Sequence, residues 1–179
     1  PGDPTEAALA VKKIANTDGT CYLRLGRGGE KNINNVIKEF EIGKAYKLRE
    51  SKGADKSIAV FSTGAILEET TKACDMLEAD GFGVEQYSFP TVKPIDKQAI
   101  IDCTKKFDNI FTVEEHNVVG GFGSAVAEVL AECGENTKLH RIGINDFYCI
   151  KVGSQAYLRE QVGINAEGIT NKVKDVFGE

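Results

Sequence analysis

Four places in the 179-residue chain combine residue types that do chemistry. Gly26-Arg27-Gly28-Gly29 sets a guanidinium among glycines directly after a stretch of β-formers, Thr20 to Leu25. Glycines let a backbone approach an anion, and an arginine fork grips phosphate through two parallel hydrogen bonds. The same spacing also describes a flexible loop with a solvated arginine. Gly120-Gly121-Phe122-Gly123 runs into a helical pattern, where the free N–H groups of a helix start can receive an anion. It matches only part of a dinucleotide fingerprint, because Val126 stands where the third glycine belongs, and it reads equally as a tight strand-to-helix turn. Just before it, Glu114-Glu115-His116 puts carboxylates beside an imidazole, a pairing suited to proton transfer. Neighbouring strand residues point to opposite faces, so these three cannot all converge, and a hydrogen-bonded or interface role competes. Glu115, His116, Gly120, Gly121 and Gly123 thus form a candidate anion or interface site. Asp80-Gly81 followed by Asn109 comes close to a diphosphate–metal pattern, but Ala79 replaces its first glycine and the aspartate ends a helix, so it reads as coincidence.

The cysteines add no chemistry. Positions 21, 74, 103, 133 and 149 contain no CxxC pair, and with two histidines, His116 and His140, no zinc site is expected. Cys74, Cys103 and Cys133 fall on helical stretches and read as small buried residues. Reduced thiols suit the cytoplasm.

Positioning these residues requires an alternating fold. Asp3 caps a helix with Pro4 at its first position, and Asp18-Gly19 closes that segment. Thr20 to Leu25 reads as a strand. Residues 30–43, with Asn32, Asn34 and Asn35, are irregular. Strands are expected at Lys44 to Arg49, Ile58 to Phe61, Val84 to Phe89, Asn109 to Glu114 and Leu139 to Ile144. Helices are expected at Ala65 to Ala79, from Pro94 to about Lys106, at Ser124 to Cys133, and near 154–161 and 166–177. Strand–helix alternation over residues 44–179 implies one three-layer α/β/α domain around a mostly parallel sheet of about five strands. Residues 1–33 are too few for a core of their own and read as the tail of another domain, with 34–43 as linker. Pro1-Gly2-Asp3-Pro4 reads as an internal loop, so the chain is expected to be a fragment or one piece of a split protein.

Composition excludes several classes. A hydrophobic fraction of 41% with 27% charged residues is that of a globular protein. Net charge is −5, with lysines and arginines scattered, so nucleic acid is not an expected partner. No apolar run approaches the ~18 residues of a membrane span, and no signal-peptide pattern is present.

Six segments in order, Pro-Gly-Asp-Pro-Thr-Glu-Ala (1–7), Cys-Tyr-Leu-Arg-Leu-Gly-Arg (21–27), Phe-Glu-Ile-Gly-Lys-Ala (40–45), Phe-Pro-Thr-Val-Lys-Pro-Ile-Asp (89–96), Val-Glu-Glu-His (113–116) and Gly-Gly-Phe-Gly-Ser-Ala-Val-Ala-Glu (120–128), resemble the C-terminal part of transketolase over essentially the whole chain. Deoxyxylulose-phosphate synthase and the beta subunit of 2-oxo acid dehydrogenases share this domain; segment 22–27 favours transketolase. The resemblance implies a five-stranded mixed sheet whose first strand lies antiparallel at the edge. It makes 1–33 the end of a pyrimidine-binding domain and 44–179 the C-terminal domain. It implies two-carbon ketol transfer between sugar phosphates, with thiamine diphosphate and a divalent metal (Mg or Ca) held by parts absent here, and a dimer-type assembly with an N-terminal section or subunit. Arg27 matches the arginine that binds substrate phosphate, and no catalytic or metal residue is implied within the chain, which is expected to be inactive alone. A purely regulatory or assembly module is the alternative outside enzymology.

Overall fold

In a computed structural model that describes residues 1–178, five strands form one sheet in the order β1-β3-β2-β4-β5. These are β1 (Tyr46–Arg49), β2 (Ser57–Ser62), β3 (Gly83–Ser88), β4 (Asn109–Asn117) and β5 (Lys138–Ile144). Strands β2 to β5 are parallel, and β1 pairs antiparallel with β3 at the edge, with a register shift between Lys47 and Arg49. The mixed five-stranded sheet with its antiparallel edge is as expected.

Among the described residues there are six α-helices: α1 (Pro4–Ile14), α2 (Leu67–Ala79), α3 (Lys97–Thr104), α4 (Phe122–Cys133), α5 (Gln155–Gln161) and α6 (Ala166–Phe177). The central strands are buried on both faces, so their sequences are continuously apolar rather than alternating. On one face Ile58, Val60, Phe111 and Val113 meet Ala73 and Leu77 of α2 and Ile169 and Val173 of α6. On the other, Ala59, Phe61 and Ile110 meet Ile100 and Cys103 of α3 and Val126 and Val129 of α4. The layers are therefore α/β/α. A third, smaller cluster joins Ala10 of α1 to Ile37 and Phe40, with Leu9, Leu23, Ile42 and Tyr46 against it.

Local signals set most boundaries. Asp3 accepts from Glu6 N at 2.8 Å and starts α1. Asp96 accepts from Ala99 N at 3.1 Å, so α3 begins at Lys97 and not at Pro94; its second oxygen takes Ala45 N at 2.9 Å and ties down the approach to β1. A 3-10 turn, Gly64–Ile66, occupies the first residues expected for α2. Gly134 ends α4 in the left-handed region, φ 73°.

One expected element is missing. Thr20 to Leu25 forms no strand. A strand needs a neighbour's ladder, and this segment has none among the described residues; Tyr22 is 88% exposed. Its β-propensity reports side chains suited to a sheet that is not here.

Burial gives one pH effect. His140 stacks on Phe111, ring centroids 4.6 Å apart, and donates from Nε2 to Asn109 Oδ1 at 2.9 Å. Burial first, and then nearby Lys138, push its pKa below the usual 6.5. A histidine depressed in the folded state binds protons more readily when unfolded. Its contribution is whole above pH 6.5 and is lost as pH falls from there through the folded value. His140→Phe is expected to flatten the fall in melting temperature below pH 6.5 relative to the parent chain; an unchanged slope would remove His140 as its source.

Candidate functional site

The chemistry-bearing residues gather at the carboxyl ends of the parallel strands, where open α/β sheets bind ligands. Glu114, Glu115 and His116 lie near the end of β4, before Asn117, and alternation puts Glu115 on the face opposite its two neighbours. Glu114 is wholly buried. Its carboxylate accepts from Phe122 N at 2.6 Å and Gly123 N at 2.8 Å, the opening donors of α4. This capping starts α4 at Phe122, two residues before Ser124. The helix start that reads as an anion site thus already holds the chain's own anion. Gly121 has no room for a side chain: a Cβ there would lie 2.2 Å from Glu114 Oε2 and 2.5 Å from Asn117 O. Ser124 Oγ accepts from Gly120 N at 3.0 Å and donates to Val118 O at 3.1 Å, closing the glycine turn.

Glu115 points the other way. It accepts from Arg159 Nε at 2.7 Å and Gln155 Nε2 at 3.1 Å, both on α5, and Arg159 Nη2 donates to Ala65 O at 3.0 Å. His116 is exposed and its Nε2 receives a hydrogen bond from Arg24 Nη1. A guanidinium can only donate, so Nε2 is the accepting atom of this contact.

Arg27 lies in the exposed loop that leaves Arg24, between Gly26 and two glycines with φ of 102° and 98°, Gly28 and Gly29. Among the described residues its guanidinium takes part in no hydrogen bond or ion pair. The loop is anchored on both sides, by Leu23 in the small cluster and by Lys31, 2.8 Å from Glu68 Oε1. The structure therefore makes two separate polar groupings at this end of β4, Arg24 with His116 and Glu115 with Gln155 and Arg159, and keeps Glu114 and the glycine turn apart from both. With Glu115 matched by Arg159, Arg24 and Arg27 bring two guanidinium groups to this edge, beside the Glu30 carboxylate that lies against Gly26. Arg24 was not legible as a site residue by spacing; it stands inside segment 21–27 without a signal of its own.

The residues of the Asp80–Asn109 pattern have other partners. Asp80 pairs with Lys174 at 2.5 Å, and Asn109 is held by His140. No group of three His, Cys, Asp or Glu side chains among the described residues is arranged to hold a metal ion. Cys74 and Cys103 are buried, and burial pushes their thiols up to about 12 and about 11, which leaves them inert at neutral pH. Cys133 is half-buried, and all five cysteines are free. No described helix is long and apolar enough to cross a membrane.

Residues 43–169 match the sequence model of the transketolase C-terminal domain. The chain is 35% identical over 178 residues to the 6-deoxy-6-sulfo-D-fructose transketolase subunit SqwH of Clostridium sp. (strain MSTE9), covering 98% of this chain and 53% of that subunit. It is 36% identical over 168 residues to the 1-deoxy-D-xylulose-5-phosphate synthase of Parabacteroides distasonis, covering 93% of this chain and 26% of that enzyme. A solved split-gene transketolase, an inactive beta4 tetramer, superposes with a TM-score of 0.88 at 31% identity, over 98% of this chain and 55% of that one. The chain spans about half the length of the split relatives it matches.

Proposed function

Because the chain belongs to the transketolase family through its C-terminal domain, we propose that it is the C-terminal part of an enzyme that moves a two-carbon ketol unit between sugar phosphates. In that enzyme thiamine diphosphate carries the carbanion chemistry, and residues outside this chain hold it with its divalent metal. This chain's share is Arg27, which binds the substrate phosphate, and a surface for assembly with an N-terminal section in a homodimer-type complex. Residues 1–33 are the tail of the pyrimidine-binding domain, 34–43 the linker and 44–179 the C-terminal domain. The glycine-flanked Arg27 guanidinium, in no hydrogen bond or ion pair among the described residues, carries this reading. Assembly is supported by an exposed apolar stretch beside α5, in which Tyr148, Ile150 and Val152 are each more than 90% exposed. The site at Glu115, His116, Gly120, Gly121 and Gly123 is read as interface rather than as an anion pocket, because Glu114 already occupies the α4 donors.

Two measurements test the proposal. Calorimetry of the isolated chain with thiamine diphosphate and magnesium is expected to show no saturable heat; micromolar binding would sink the division of labour. Co-expressed with its N-terminal section, the complex is expected to transfer ketol units between sugar phosphates. The 36% identity to a deoxyxylulose-phosphate synthase favours one second reading, a sister enzyme acting on pyruvate. Turnover of pyruvate with glyceraldehyde phosphate, and none of ketose phosphates, would select it.

A further inference from the structure

We infer that Arg24 and His116 are positioning residues that hold the Arg27 loop against the C-terminal domain, an inference that rests on the phosphate reading of Arg27. Residues 20–30 have no regular structure and no ladder to fix them. A flexible arginine binds phosphate weakly, because ordering its loop on binding consumes part of the interaction. Loop order must therefore come from side chains. Leu23 packs into the small cluster and Lys31 pairs with Glu68, but both stand at the loop's margins. The anchor nearest Arg27 is three residues away, where Arg24 Nη1 donates to His116 Nε2 across 92 positions of sequence. His116 is itself well placed to serve, since it lies near the end of a strand buried in the middle of the sheet. Its neighbour Glu115 is clamped by Arg159, which also holds the Ala65 carbonyl. The end of β4 is thus held to α5 on one side through Glu115 and to the loop on the other through His116, the two joined by the strand's own backbone. Arg24 and His116 touch neither phosphate nor reacting atoms in this assignment; they act through Arg27.

The test uses the chain assembled with its N-terminal section. His116→Phe keeps the ring and deletes the acceptor; Arg24→Met keeps the stem and deletes the donor. Each is expected to raise KM for a phosphorylated acceptor by about 3- to 10-fold with kcat nearly unchanged, and to leave KM for glycolaldehyde unaltered. The double variant should be no worse than either single one, because both remove the same contact. His116→Gln retains a carbonyl acceptor and should restore most of the loss. Hydrogen exchange on the isolated chain gives a reading independent of substrate: amides of 21–29 should exchange faster in His116→Phe and near the parent rate in His116→Gln. Arg27→Ala, run alongside, separates the two claims. If it raises KM for the phosphorylated acceptor while the Arg24 and His116 variants do not, the positioning role is overturned and the phosphate reading stands. If Arg27→Ala has no effect on that acceptor, the phosphate reading fails and the positioning role falls with it, whatever the exchange shows. Equal losses with both acceptors in His116→Phe would indicate general structural damage and also overturn the inference.

Discussion

Arg27→Ala in the assembled enzyme is expected to lower kcat/KM for phosphorylated acceptors by about 10- to 150-fold. The guanidinium is exposed, set between glycines and, among the described residues, in no hydrogen bond or ion pair. A charge-assisted hydrogen bond contributes roughly 1.5–3 kcal/mol, and ~1.4 kcal/mol is one decade. In the proposed role the phosphate is held away from the reacting carbon, so ground state and transition state should profit alike and the loss should fall on KM. Lysine should rescue in part, keeping the charge but losing the fork. Glycolaldehyde, with no phosphate, should be almost indifferent. A loss as large with glycolaldehyde would assign Arg27 to structure instead.

Removing the internal cap of α4 should damage the fold more than any surface change. Glu114→Ala leaves the N–H groups of Phe122 and Gly123 buried without a partner and empties the space of a wholly buried side chain. Charge-assisted bonds and orphaned donors together put the loss at about 3–5 kcal/mol. At roughly 2–4 °C per kcal/mol for a domain of this size, thermal unfolding should drop by about 6–20 °C. Glu114→Gln should fall between, because its carboxamide oxygen serves one N–H while its NH2 group confronts the other. A shift under about 2 °C for the alanine variant would show that water or a rearranged turn replaces the carboxylate.

What the sequence disclosed follows from which interactions are local. Asp3 before Pro4 acts over a few residues, so the cap and the apolar periodicity place such elements. The buried strands read through as apolar runs because both faces are covered. Thr20 to Leu25 misled because strand formation is decided by a neighbour, and intrinsic preference does not say whether one exists. The site divides the same way. Strand alternation foretells that Glu114, Glu115 and His116 part company, since that is geometry within one strand. That Glu114 fills the α4 start, and that Arg24 reaches His116, depend on contacts 8 and 92 residues apart. Spacing carries no record of such contacts, so the glycine turn looks open to a ligand when its donors are already taken.

The shifted register in β1 bears on solubility. An outer strand ordinarily presents a row of unpaired amides and carbonyls on which another chain can lay a strand of its own, the route to fibrillar aggregates. Here that strand is four residues long, it carries Lys47 and Arg49, and the irregularity between those two breaks the even spacing that an incoming strand would have to match. Arg49 is drawn back over the sheet to Asp75 and Glu78 of α2. On its own, this flank is thus kept from templating the growth of a fibre.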